Sequence, residues 1–211
     1  MNMKGGCVLL GGWSRDSETY HKIIDTSSPQ NHIYTILHTS LIPDIRILQE
    51  LKTKNLTSVV LIGHSLGDAL AISFAANYPE CVKKLILVDS EGIPDKRNFS
   101  TIVFNWLKDC IFIHGKAKAK ENVNALFLIM QNFPYYFAVA RFANNVDVRK
   151  DAQKIKVPTL ILWGEKDKVV PIESAKELNR LIKGSKLVVL DGMDHDWLIH
   201  YPRGLWSNIE K

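Results

Sequence analysis

The chain has 211 residues, 46% of them hydrophobic and 23% charged, with a formal net charge of +5. This balance excludes a disordered chain, and a surplus so mild gives no basis for nucleic-acid binding. No apolar run approaches the ~18 residues of a membrane span, and the start of the chain is too short in apolar residues for a signal peptide.

Taken in chain order, runs rich in Val, Ile and Leu at 8–10, 32–37, 58–62, 84–88, 158–163 and 186–190 predict six strands. Several lack polar alternation, as strands covered on both faces do. Between them, 44–54, 66–77 and 173–182 carry apolar residues at helical spacing. The alternation predicts an α/β fold: a mostly parallel, doubly wound sheet of about six strands. Functional side chains in such a sheet gather at the carboxyl ends of the strands.

The alternation breaks once. Residues 92–151 read as helical and aromatic-rich, with nine Lys and Arg against five Asp and Glu. This segment is expected to be an inserted, basic helical lid on a core made of residues 1–91 and 152–211.

The chemistry begins at Gly63-His64-Ser65-Leu66-Gly67, which follows one predicted strand and opens one predicted helix. A G-x-S-x-G sequence in that setting is a sharp turn that lifts the serine hydroxyl clear of the backbone. Such a hydroxyl needs a base, and the base an orienting carboxylate. The run at 158–163 leads into Asp167, and the run at 186–190 leads into Asp194-His195. The expected catalytic set is therefore Ser65, His195 and Asp167, with Asp89, at the end of the 84–88 run, as the competing acid. Asp194 and Asp196 flank His195 too closely to reach its far nitrogen, and His200 reads as a surface residue.

An oxyanion hole needs two converging N–H groups. Leu66, after the nucleophile, offers one, and Trp13 offers the other from the Gly11-Gly12-Trp13 loop after the first strand. Gly12 and His64 are expected to line the substrate site. No metal or cofactor is expected: His21, His32 and His38 are scattered, and Cys7, Cys81 and Cys110 form no CxxC pair. Three such cysteines also exclude a disulfide scaffold and fit a reducing cytoplasm.

Taken in order, Gly63-His64-Ser65-Leu66-Gly67, the segment from Pro158 to Asp167, and Asp194-His195 resemble the nucleophile, acid and base segments of the α/β-hydrolase superfamily, specifically its compact lid-bearing serine esterases. Three departures stand out. The first predicted strand corresponds to the family's third, so a reduced sheet of six is expected. Gly11 stands where the family usually has a histidine that braces the oxyanion loop. Asp68 stands where a small residue is common, one turn from the nucleophile, where it is expected to raise the histidine pKa or narrow the site.

The resemblance implies a serine hydrolase acting on a carboxylic ester, a carboxylesterase working through an acyl-enzyme. Ser65 argues against the relatives with a carboxylate nucleophile, the dehalogenases and epoxide hydrolases. Perhydrolysis and carbon–carbon bond hydrolysis use the same triad and stay open. The alternative of a different class is an inactive member of the fold that serves as a ligand receptor or interaction protein. The expected partner is a small-molecule ester with an apolar acyl or aryl group. The basic lid, with Lys116, Lys118 and Lys120, adds an acidic carrier protein as a further partner.

Overall fold

The computed structural model describes residues 6–12, 20, 33–36, 44–94, 127 and 130–209. Six strands, β1 (Cys7–Leu10), β2 (Ile33–Ile36), β3 (Val59–His64), β4 (Val82–Val88), β5 (Thr159–Gly164) and β6 (Lys186–Leu190), form one sheet in the order β2-β1-β3-β4-β5-β6. Every pairing is parallel. The helices are α1 (Asp44–Thr53), α2 (Leu66–Asn77), α3 (Phe133–Asn145), α4 (Arg149–Ala152), α5 (Ile172–Leu181), α6 (Trp197–His200) and α7 (Pro202–Ile209).

The period of two along the buried strands divides the core into two layers. Leu61, Leu85, Leu87, Ile161 and Trp163 face one side and pack with Ile47 of α1, Ile72 and Phe74 of α2 and Leu178 of α5. Their sequence neighbours Val60, Ile62, Ile86, Leu160 and Leu162 face the other and meet Tyr20, Trp197, Leu198, Leu205 and Trp206. A sheet covered on both faces explains why these strands read as unbroken apolar runs. Among the described residues no helix is long and apolar enough to cross a membrane.

Prolines set several boundaries. Pro158 lacks a donor for the ladder, and β5 begins at the next residue, although the Pro158 carbonyl still accepts the Leu85 N–H at 2.9 Å. Pro171, in extended conformation, caps α5, so that helix starts and ends one residue before the predicted 173–182. Pro202 opens α7 and separates it from α6, a break that helical periodicity alone does not reveal.

The strand order positions the site. Successive strands leave β1 in opposite directions, so the crevice between the carboxyl ends of β1 and β3 is the topological switch point where ligands settle in open α/β sheets. Pairing brings those ends level: Leu10 lies beside Gly63, His64 beside Val88, and Val88 beside Leu162. Of the segment 92–151, α3 and most of α4 are described, together with the short stretch after β4. Lys116, Lys118 and Lys120 lie outside the described residues. Phe133, Tyr135 and Phe137 of α3 are exposed, and Phe133 and Phe137 stack at 6.0 Å between ring centroids.

Candidate active site

Ser65 sits between β3 and α2 with φ 55° and ψ −123°, in the left-handed region that a side-chain-bearing residue adopts only under constraint. The constraint comes from β4. The Ser65 N–H donates to the Val88 carbonyl at 3.0 Å, and the Ser65 carbonyl accepts the Glu91 N–H at 3.1 Å. Gly67 is required by close approach: a Cβ there collides with the Leu10 carbonyl oxygen.

The hydroxyl of Ser65 lies 3.0 Å from Nε2 of His195. His195 follows β6, and its Nδ1 donates to Oδ2 of Asp167 at 2.8 Å. The other oxygen of Asp167 accepts the N–H groups of Val169 and Val170, each at 2.8 Å. With its side chain 1% exposed, Asp167 thus has a donor on both oxygens. Burial works against a charge on the His195 ring. The Asp167 carboxylate, by charge and hydrogen bond, overcomes it with help from Asp89 and Asp196, and pushes the imidazole up to about 10.

The competing acid is engaged elsewhere. Asp89, fully buried at φ 49°, accepts the Gly164 N–H on Oδ1 at 2.7 Å, and its own N–H donates to Leu162 at 3.1 Å. It therefore ties the end of β4 to β5, while Nδ1 of His195 faces Asp167. Burial, followed by the charge of Asp167, pushes the Asp89 carboxyl well above the usual carboxylate range.

Asp68 does not project into the site. Its Oδ2 accepts the Val88 N–H at 2.9 Å, and Asp68 packs so close to Gly63 that a Cβ there collides with its carboxyl and its backbone. Burial pushes it well up. The charge of His195 draws it back down, so the two groups act on each other.

The loop after β1 is braced by a residue that no local pattern marks. A Cβ on Gly11 comes within 2.6 Å of the Tyr20 ring, so the tyrosine occupies the room of the missing histidine. The Tyr20 hydroxyl accepts the Gly12 N–H at 2.7 Å and lies 2.8 Å from Nδ1 of His64. Nε2 of His64 lies 3.2 Å from the His195 carbonyl oxygen. With a neutral imidazole, one arrangement of protons satisfies all three contacts. Tyr20 donates its O–H to Nδ1, and His64 donates its Nε2–H to that carbonyl. His64 and the Gly12 N–H are thus committed to protein partners. Gly12 nevertheless stands at the nucleophile, where an added Cβ lies 3.0 Å from Cβ of Ser65.

Leu66 is the first residue of α2, where a helix leaves its N–H groups without intrahelical acceptors. Trp13 lies outside the described residues.

One neighbour of the nucleophile escaped sequence reasoning. Glu91, three residues beyond β4, accepts a hydrogen bond from the Ser65 hydroxyl on Oε1 at 3.3 Å. Its Oε2 is buried and has no partner among the described residues. The rule that directs attention to carboxyl ends of strands reaches this loop, but Asp89 was the residue it drew out.

A family profile described as serine aminopeptidase, S33 (Hydrolase_4) matches residues 127–200. Lipase 1 of Psychrobacter immobilis is 28% identical over 218 aligned positions, which take in 86% of this chain and 65% of that protein. The AB hydrolase superfamily protein YisY of Bacillus subtilis is 32% identical over 165 positions, 68% of this chain and 62% of that protein. The chain thus spans less than two thirds of the length of these relatives. In fold it is similar to the esterase EaEST of Exiguobacterium antarcticum, with a TM-score of 0.80 at 19% identity over 100% of this chain and 94% of that one. Sheet order, the turn at Ser65 and these likenesses agree, and the chain belongs to the α/β-hydrolase superfamily.

Proposed function

We propose that the chain is a serine hydrolase that cleaves a carboxylic ester through an acyl-enzyme. The observation that carries this reading is the unbroken line from Asp167 through His195 to the Ser65 hydroxyl. Oγ of Ser65 attacks the carbonyl carbon while its proton passes to Nε2, and Asp167 stabilises the imidazolium. That proton then goes to the departing alcohol. A water activated by the same nitrogen releases the acid. The Leu66 N–H stabilises the oxyanion from the start of α2, with the Trp13 N–H assigned as second donor from its sequence position.

Residues 92–151 are proposed as the lid over this site, which the exposed aromatic side chains of α3 make suitable for an apolar acyl or aryl group. The similarity to a lipase and an esterase supports ester chemistry.

Hydrolysis of p-nitrophenyl esters from acetate to decanoate, with Ser65→Ala beside the wild type, tests the reading. Turnover that vanishes in Ser65→Ala is expected, and the preferred chain length measures the pocket. Turnover that survives the substitution excludes Ser65 as nucleophile.

A further inference from the structure

The Ser65 hydroxyl has one proton and two acceptors within reach. Nε2 of His195 lies on one side at 3.0 Å and Oε1 of Glu91 on the other at 3.3 Å. Glu91 is fixed there by its backbone, since its N–H donates to the carbonyl of Ser65 itself. We propose that Glu91 is a further catalytic residue: its carboxylate competes with His195 for the single Ser65 proton and sets the pH above which the serine is activated. The inference rests on the serine-hydrolase reading above.

Two arrangements hold the same number of protons. In one, Glu91 is a carboxylic acid donating to Oγ, the imidazole is neutral, and the Ser65 O–H points to Nε2. In the other, the proton lost by Glu91 resides on His195. The imidazolium then donates Nε2–H to Oγ, and the Ser65 O–H points to the Glu91 carboxylate. Only the first lets Nε2 take the serine proton as Oγ attacks. The 3.3 Å separation of Oγ and Oε1 accommodates the hydrogen bond of either arrangement.

The carboxylates around His195 favour the second arrangement at rest. His195 faces Asp167 from the loop after β5, Asp89 from the end of β4, its neighbour Asp196, and the ring of His64 at 5.6 Å between centroids. Glu91 faces Ser65, His195, Asp167 and the buried Asp68 of α2. Burial pushes the Glu91 carboxyl up, while His195 and the Ser65 hydroxyl pull it down. Because Oε2 has no donor among the described residues, the carboxylate depends on this one hydroxyl and the imidazolium behind it.

The sign of the effect follows. A negative Glu91 holds the proton on His195, so replacing it with a neutral side chain frees the base at lower pH. Labelling by a fluorophosphonate reads serine activation without knowledge of the natural substrate. Oγ forms a bond to phosphorus, fluoride leaves, and the serine proton passes to Nε2. The second-order labelling rate is followed from about pH 5 to about pH 11 for the wild type, Glu91→Gln, Glu91→Asp and Ser65→Ala, a range that brackets the ordinary and raised imidazole values.

In Glu91→Gln the rising limb is expected to move down by about one pH unit, making labelling about tenfold faster below the wild-type midpoint. Glu91→Asp, which keeps the charge, is expected to fall between the two. A limb that stays in place in Glu91→Gln while the rate changes equally at every pH overturns the inference and leaves the hydrolase reading intact. If the Gln variant does not fold, Glu91→Met, uncharged and of similar length, takes its place. Failure of both to fold makes Glu91 a structural residue and overturns the proposal. A wild type that never labels overturns the hydrolase reading, and this inference with it.

Discussion

Two loops leave the same edge of the sheet, each carrying carboxyl groups toward His195, and they treat those groups differently. The loop after β5 offers Asp167 two backbone N–H groups on one oxygen and an imidazole on the other. Among the described residues, the loop after β4 gives Asp89 a single N–H and Glu91 a single hydroxyl, and one buried oxygen of each has no partner. Desolvation therefore dominates in the second loop, where both carboxyls are pushed up. Residue type alone does not make an orienting carboxylate, and the number of donors aimed at it decides the role.

The sharpest way to break this contrast is to neutralise each aspartate in turn. Asp167→Asn is expected to lower kcat by about 10⁴-fold, because the amide stabilises the wrong tautomer and no imidazolium. Asp89→Asn keeps the oxygen that accepts from Gly164 and is expected to stay within about tenfold of wild type, far from the loss of a triad member. Equal losses in the two variants erase the distinction between the loops.

An intermediate effect is expected at the brace of the β1 loop. Tyr20→Phe keeps the ring against Gly11 but leaves the Gly12 N–H and Nδ1 of His64 without their hydroxyl. An unsatisfied buried group costs about 1–3 kcal/mol. Denaturant unfolding is expected to show a loss of that order, together with slower ester turnover.

The smallest effect is a change in slope. Asp89 folded holds its proton more tightly than Asp89 unfolded, whose ordinary value is 3.8. The stability it contributes is present in full below that value and is lost as pH rises toward the folded one. Asp89→Asn does not titrate, so its stability relative to wild type is expected to improve as pH increases. Denaturant midpoints at a series of pH values measure this, and parallel curves remove Asp89 from the account.

Much of the fold was legible because its signals are local. The apolar runs and the turn at Gly63-His64-Ser65-Leu66-Gly67 each lie within a few residues of sequence, whereas the boundaries set by Pro158 and Pro171 were read one residue off. Ser65, Asp167 and His195 were legible for a related reason: each follows a strand, and parallel strands deliver their ends to one edge. Tyr20 and Glu91 were not. Tyr20 reaches His64 across 44 residues, through a contact that no periodicity encodes. Glu91 became visible only when pairing of β3 with β4 laid its backbone against Ser65. Asp68 was legible as a charge near the serine, but its inward rotation onto the Val88 N–H and the upward push of burial belong to packing.

The positive φ of Ser65 has a mechanical consequence. Its N–H bonds to the Val88 carbonyl of β4, while its carbonyl accepts both the Glu91 N–H and the Asp68 N–H of the following helix, so sheet and helix together clamp the backbone of the nucleophile. With the main chain clamped, the two settings differ only in where two protons sit: one passes from Glu91 to Oγ as another passes from Oγ to Nε2 of His195. Oγ is therefore a relay between a carboxyl and an imidazole, and the change needs no movement of the backbone that carries it.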